Sequence, residues 1–178
     1  MRPAILAALA VALAGCSAPT ISLVHEAAPE CESGRRLAIV AQAVETASLV
    51  PCIEEEDQPW RFSELDVERG RARMTLVYLD PDERSATVEL TERCDTGGLR
   101  AVPGAREGVR EFRRPVLLSP RLAGRIFEVF DGGCVTTTYD LPRSGTSGER
   151  LQELIDTVGL FPREVLSREL EEEVGLEL

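Results

Sequence analysis

Four cysteines, Cys31, Cys52, Cys94 and Cys134, constrain the fold more than any other feature of this 178-residue chain. They form an even set with no C-x-x-C pair. They follow Arg2 and an apolar run over residues 4–12. That stretch is far shorter than the ~20 apolar residues a membrane-crossing helix requires, so it reads as the core of an export signal. In the oxidising compartment beyond, the set predicts two disulfides. Zinc is the rival use of thiolates, but the single histidine, His25, precedes all four, so no metal is expected. Four cysteines allow three pairings. Cys31 with Cys52 and Cys94 with Cys134 is preferred, because each closes a modest loop contributing ~3 to 4 kcal/mol in the chain-entropy model.

The first pair dictates local structure. A single helix over residues 35–50 separates its ends by ~24 Å at ~1.5 Å per residue, whereas bridged Cα atoms lie within ~7 Å. A helix around residues 37–43 must therefore stop early and the chain return extended towards Cys52. The run Val44, Thr46, Ala47, Ser48 and then Pro51 favours that break.

The leader closes with Leu13-Ala14-Gly15-Cys16. Small residues before a cysteine let the backbone lie extended in a peptidase groove, with one thiol left for thioether linkage. The motif resembles the lipobox of bacterial lipoproteins. The resemblance implies removal of residues 1–15 and a lipid on Cys16, and hence a membrane as partner, at the extracytoplasmic face of the cell membrane. At ~0.8 kcal/mol per buried methylene one acyl chain holds marginally and two or more hold stably. Residues 16–32, rich in Ser, Ala, Pro and Thr, read as a tether. Residues 33–178 read as a single disulfide-braced globular domain, long enough to bury a core.

Period-two alternation predicts strands over residues 62–67, 72–79 and 86–93. In the third, Ala86, Val88 and Leu90 face away from Thr87, Glu89 and Thr91, the pattern of an antiparallel meander with one wet face. A short strand is expected over 110–113. Residues 126–130 and 135–141 flank Asp131-Gly132-Gly133 as a hairpin. Leu151, Leu154, Ile155 and Val158 fall at helical spacing behind Ser147, with Gly159 as the expected cap, and a last helix runs from Pro162 to about Val174. Strands first and helices last predict an α+β fold: an antiparallel β-sheet, meander plus hairpin, with C-terminal helices packed on one face.

Catalytic parts are not evident. Histidine, the usual general base, occurs once and in the tether, and no G-x-S-x-G elbow is present. The carboxylates Glu54, Glu55, Glu56 and Asp57 read as solvated surface. Asp80, Asp82 and Glu83 do too, with weak calcium binding as the residual use. Trp60, entering a strand, reads as a core anchor. The formal charge is −11, one unit more negative once Arg2 leaves, which excludes nucleic acid as a general partner.

Against that background stands one basic stretch. Arg100, Arg106, Arg110, Arg113, Arg114, Arg121 and Arg125 face only Glu107 and Glu111 there. Guanidinium forks bind carboxylate and phosphate bidentately, so Arg106, Arg110, Arg113, Arg114 and Arg121 are the candidate binding residues for an anionic envelope polymer or an acidic protein partner. Neutralisation by the glutamates of the last helix is the competing reading. The chain is thus expected to be a lipid-anchored, non-catalytic binding module without a cofactor. A carrier or sensor of a small or lipid-like ligand is the alternative, and an envelope hydrolase with paired carboxylates the more distant one.

Overall fold

The computed structural model describes residues 21–24, 28–32, 34–54, 59–79, 85–103, 106–117, 121–141, 146–175 and 178. The leader, Cys16, His25 and the Asp80, Asp82 and Glu83 cluster lie outside them, as do residues 55–57 of the other acidic cluster. The elements are β1 (Ile21–Val24), α1 (Gly34–Ala43), β2 (Leu49–Ile53), β3 (Trp60–Glu68), β4 (Arg71–Tyr78), β5 (Ser85–Thr91), β6 (Ala101–Val102), β7 (Arg110–Leu117), β8 (Leu122–Phe130), β9 (Gly133–Leu141), α2 (Ser147–Thr157), β10 (Val158–Pro162) and α3 (Arg163–Val174).

Alternation along the strands sorts the side chains, and pairing then aligns the sorted faces. Eight antiparallel strands run in the order β1-β3-β4-β5-β9-β8-β7-β6. The ladders set Met74, Val88, Thr137 and Ile126 side by side, and likewise Leu76, Ala86 and Tyr139. These positions are buried, and they form one core with Leu37, Val40 and Ala41 of α1, Leu154 of α2, and Leu166 and Leu170 of α3. The result is an α+β sandwich with the three described helices on one face of the sheet. Trp60 fills that core at 1% exposure. Its Nε1–H donates to the Arg150 carbonyl at 3.0 Å, and its ring meets Tyr78 edge-on at 5.2 Å, clamping α2 onto β3 and β4.

The disulfides join Cys31 to Cys52 and Cys94 to Cys134, with Cα atoms 5.0 and 5.8 Å apart. As the first bridge requires, α1 stops at Ala43 and β2 returns extended through Cys52. The β8–β9 turn is the two-residue loop Asp131-Gly132, and Gly132 has φ +67°. A Cβ there would lie 1.8 Å from the Thr46 carbonyl oxygen, so glycine is required both by conformation and by the close approach of the α1–β2 connection.

Three expectations are corrected. Gly159 does not cap α2, because the helix ends at Thr157 and residue 158 is already extended (φ −99°, ψ 111°). The chain instead forms β10, whose backbone pairs with β2 through Gly159↔Cys52. Glycine is needed there for space, since a Cβ would come within 2.5 Å of Cys31 Sγ. Residues 16–32 are not tether throughout. Ile21–Val24 extends the sheet along the edge of β3, and Cys31 N–H donates to the Ile53 carbonyl at 3.0 Å. An edge strand held by its backbone ladder needs no amphipathic signature, which is why composition hid it. Finally, the arginines of the basic stretch do not pair with the last helix, as described next.

Candidate functional site

With α1, α2, α3 and the β2–β10 ribbon on one face of the large sheet, no described helix covers the other. The residues pointing there follow from the register. Arg114, Arg125, Thr138, Thr87 and Thr75 form one row across β7, β8, β9, β5 and β4; Phe112, Phe127, Thr136, Glu89 and Arg73 form the next. The segment after β5 folds back over one end of this face. Cys94 is bridged to Cys134 on β9, and Leu99 and Cys94 pack on Phe112 and Phe127 as a small second core. Between this pinned segment and the open rows lies a groove of about 490 Å³, lined by four arginines (Arg73, Arg93, Arg114, Arg125), two acids (Glu89, Asp95) and four threonines.

Its electrostatics divide cleanly. Arg73 is spent on Glu89, with Nε 2.9 Å from Oε2, and Arg71 on Glu68 at 2.8 Å. Arg114 donates to the Asp95 carbonyl at 3.0 Å, lies 3.8 Å from the exposed Asp95 carboxylate and sits over the Phe127 ring at 5.4 Å, which fixes its direction and balances part of its charge. Arg93 and Arg125 have no carboxylate partner among the described residues. Arg114 and Arg125 stand directly opposite each other, and like charges at such a position destabilise a sheet. The groove therefore carries uncompensated positive charge in a protein of net charge −11.

The five arginines singled out from sequence are divided between the two faces. Arg110 and Arg114 alternate with Phe112 towards the groove face. Arg121 pairs with Asp140 at the margin of that face. Arg113 and Arg106 belong to the helix side, where Arg113 holds Glu111 at 2.5 Å and Arg106 reaches Glu128 at 3.4 Å and the Val158 carbonyl at 2.8 Å. Their neutralising partners are thus on neighbouring strands and loops, not on α3. Arg73, Arg93 and the threonines were missed, and Arg125 was not among the five. The signal available was the wet-face alternation of Thr87, Glu89 and Thr91, whose meaning depends on which strand pairs with β5.

Glu111 and Glu128 are cross-strand neighbours, a paired arrangement of two carboxylates. Burial pushes the Glu128 carboxyl above its ordinary value of 4.5; the Arg106 charge lowers it and Glu111 raises it further. Each acid already faces an arginine, whereas glycoside hydrolysis needs both carboxyls turned to a common substrate space. The folded state holds the Glu128 proton more tightly than the unfolded chain does. Its stabilising contribution is therefore complete below pH 4.5 and is lost as pH rises through the folded pKa. We expect the unfolding free energy of the wild type, relative to Glu128→Gln, to improve as pH falls from 7 towards 4.5. Urea titrations at several pH values check this, and a pH-independent difference contradicts it.

Among the described residues no group of three or more His, Cys, Asp or Glu side chains converges as a metal site, and no helix is long and apolar enough to cross a membrane. Compared with known proteins, no family model, curated sequence or solved structure matches this chain.

Proposed function

We propose that this protein is a lipid-anchored, non-catalytic binding module on the extracytoplasmic face of the cell membrane, and that the uncovered sheet face takes up an acidic envelope partner. The leader and Leu13-Ala14-Gly15-Cys16 support the location. The observation that carries the binding role is that Arg93 and Arg125 line the groove with no carboxylate partner among the described residues, Arg125 standing directly opposite Arg114, so that an anion bound there offsets their repulsion. Filling of the space between sheet and helices by Trp60, Met74, Leu76, Leu154 and Leu166 favours a surface site over a ligand enclosed between the layers.

An anchor at Cys16 would orient the domain. Ile21 follows Cys16 by five residues, which span at most about 18 Å when extended. The domain is thus held close to the bilayer by the β1–β3 edge, at the side of the sheet away from β7 and β8. Mass spectrometry of membrane-extracted protein, with and without reduction, tests the location. The expected species begins at an acylated Cys16 and carries two intact disulfides; an unprocessed chain with four free thiols refutes it. Retention of the delipidated domain on an anionic matrix, eluted by salt and weakened by Arg125→Gln, is the expected sign of the binding role.

A further inference from the structure

Resting on the binding-module reading, the groove geometry points to a narrower ligand class: we propose that it binds a sugar acid, a hydroxyl-rich molecule bearing a carboxylate. In this arrangement the carboxylate lies across Arg125 and Arg114 and the adjoining hydroxyls meet Thr138 and Thr87. Three observations lead there. The row Arg114, Arg125, Thr138, Thr87 places two guanidiniums and then two hydroxyls on successive strands, ~4.8 Å apart, so charge recognition passes directly into hydroxyl recognition. Among the described residues the Thr87 and Thr138 hydroxyls have no hydrogen-bond partner, so both remain available to a ligand. Glu89 and Asp95 also line the groove, and Glu89 is only locally balanced by Arg73. A dianionic phosphate meets more repulsion from these acids than a singly charged carboxylate does, while the planar guanidinium fork matches a carboxylate bidentately.

Arg114 is directed by Asp95 and Phe127, and the bridge at Cys94 holds Asp95 in place, so half of the anion clamp is preorganised before the ligand arrives. Arg125 is the exposed, adjustable half.

The test is a calorimetric titration of the full processed protein in detergent with three probes at equal ionic strength: oligogalacturonate, a neutral galactose oligomer, and inorganic phosphate. Oligogalacturonate is expected to bind and the neutral oligomer to bind at least tenfold more weakly. Arg125→Gln is expected to weaken oligogalacturonate by roughly 10- to 100-fold, the range for a lost charged hydrogen bond, and Thr138→Val by about fivefold. Arg125→Gln also relieves the like-charge pair, so its ligand-free melting temperature should equal or exceed that of the wild type, which shows that lost binding is not lost folding. Tighter binding of phosphate than of oligogalacturonate overturns the sugar-acid class while the anion-binding reading stands. Equal binding of the neutral oligomer removes the role of Arg125. Binding of none of the probes, with Arg125→Gln eluting like the wild type from an anionic matrix, overturns the site and the binding role together.

Discussion

Replacing Arg163 by alanine lowers the unfolding free energy by about 1.5 to 3 kcal/mol, the scale for losing hydrogen bonds from a charged donor. Arg163 opens α3, yet its side chain serves another element. Nε donates to the Ala47 carbonyl at 2.6 Å, and Nη2 donates to the Val44 carbonyl at 2.6 Å and to that of Ala41. These are acceptors at and just beyond the C-terminal end of α1, where helices leave carbonyls unsatisfied and where the macrodipole favours a cation. Burial holds the guanidinium below its ordinary range, with Glu45 pulling the other way, so desolvation has been accepted in exchange for three bonds. The loss propagates. The same connection supports the β8–β9 turn through Ser48 N–H to the Asp131 carbonyl at 3.0 Å and Thr46 Oγ1 to the Gly132 carbonyl at 2.6 Å. Arg163→Lys should recover only part, since a single ammonium does not reproduce the planar fork. Urea denaturation measures both variants, and a cost below about 1 kcal/mol for alanine contradicts this account.

The second large effect concerns Cys94–Cys134. Replacing both by serine frees a loop of sequence separation 40, worth about 4 kcal/mol in the chain-entropy model, or about 10 °C in melting temperature for a domain of this size. Beyond stability, this bridge holds the wall of the groove: with it go the packing of Cys94 and Leu99 on Phe112 and Phe127 and the position of Asp95 that directs Arg114. Oligogalacturonate affinity should therefore fall with this pair. For Cys31 and Cys52, separated by 21 residues, the same model predicts about 3 kcal/mol. Their bridge ties the chain before α1 to β2, on the other side of the sheet, and its loss should leave affinity intact once folding is restored by low temperature. Equal loss of affinity from both pairs would show that the groove responds to global stability alone.

Local pattern made much of this architecture legible. Thr87, Glu89 and Thr91 announced a wet face because a strand alternates with period two whatever pairs with it. The Asp131-Gly132 turn followed from the positive φ that a two-residue hairpin demands. The early stop of α1 followed from the reach of a disulfide. Elements held by backbone pairing to a distant partner were not legible. β10 was hidden because Gly159 after an amphipathic run is the ordinary sign of a helix cap; the outcome turned on the β2 edge offering its N–H and C=O groups to residues 158–162, more than a hundred positions away in the chain. β1 was hidden for the same reason.

The candidate site divides along the same line. An excess of arginine between residues 100 and 125 is a property of composition, visible without coordinates. Whether those charges act together depends on strand parity and register: Arg113 and Arg114 are neighbours in sequence but lie on opposite faces, one against Glu111 and the other above Phe127. Arg73 and Arg125, about fifty residues apart, share a groove because β4, β5, β9 and β8 are consecutive in the sheet. The sequence by itself determined the even cysteine set, the wet and dry faces of the strands and the positions of the helices, since each is encoded by residues close together in the chain. Only the tertiary structure decided which arginines remain uncompensated and beside which hydroxyls they stand, because that is settled by the order in which strands pair.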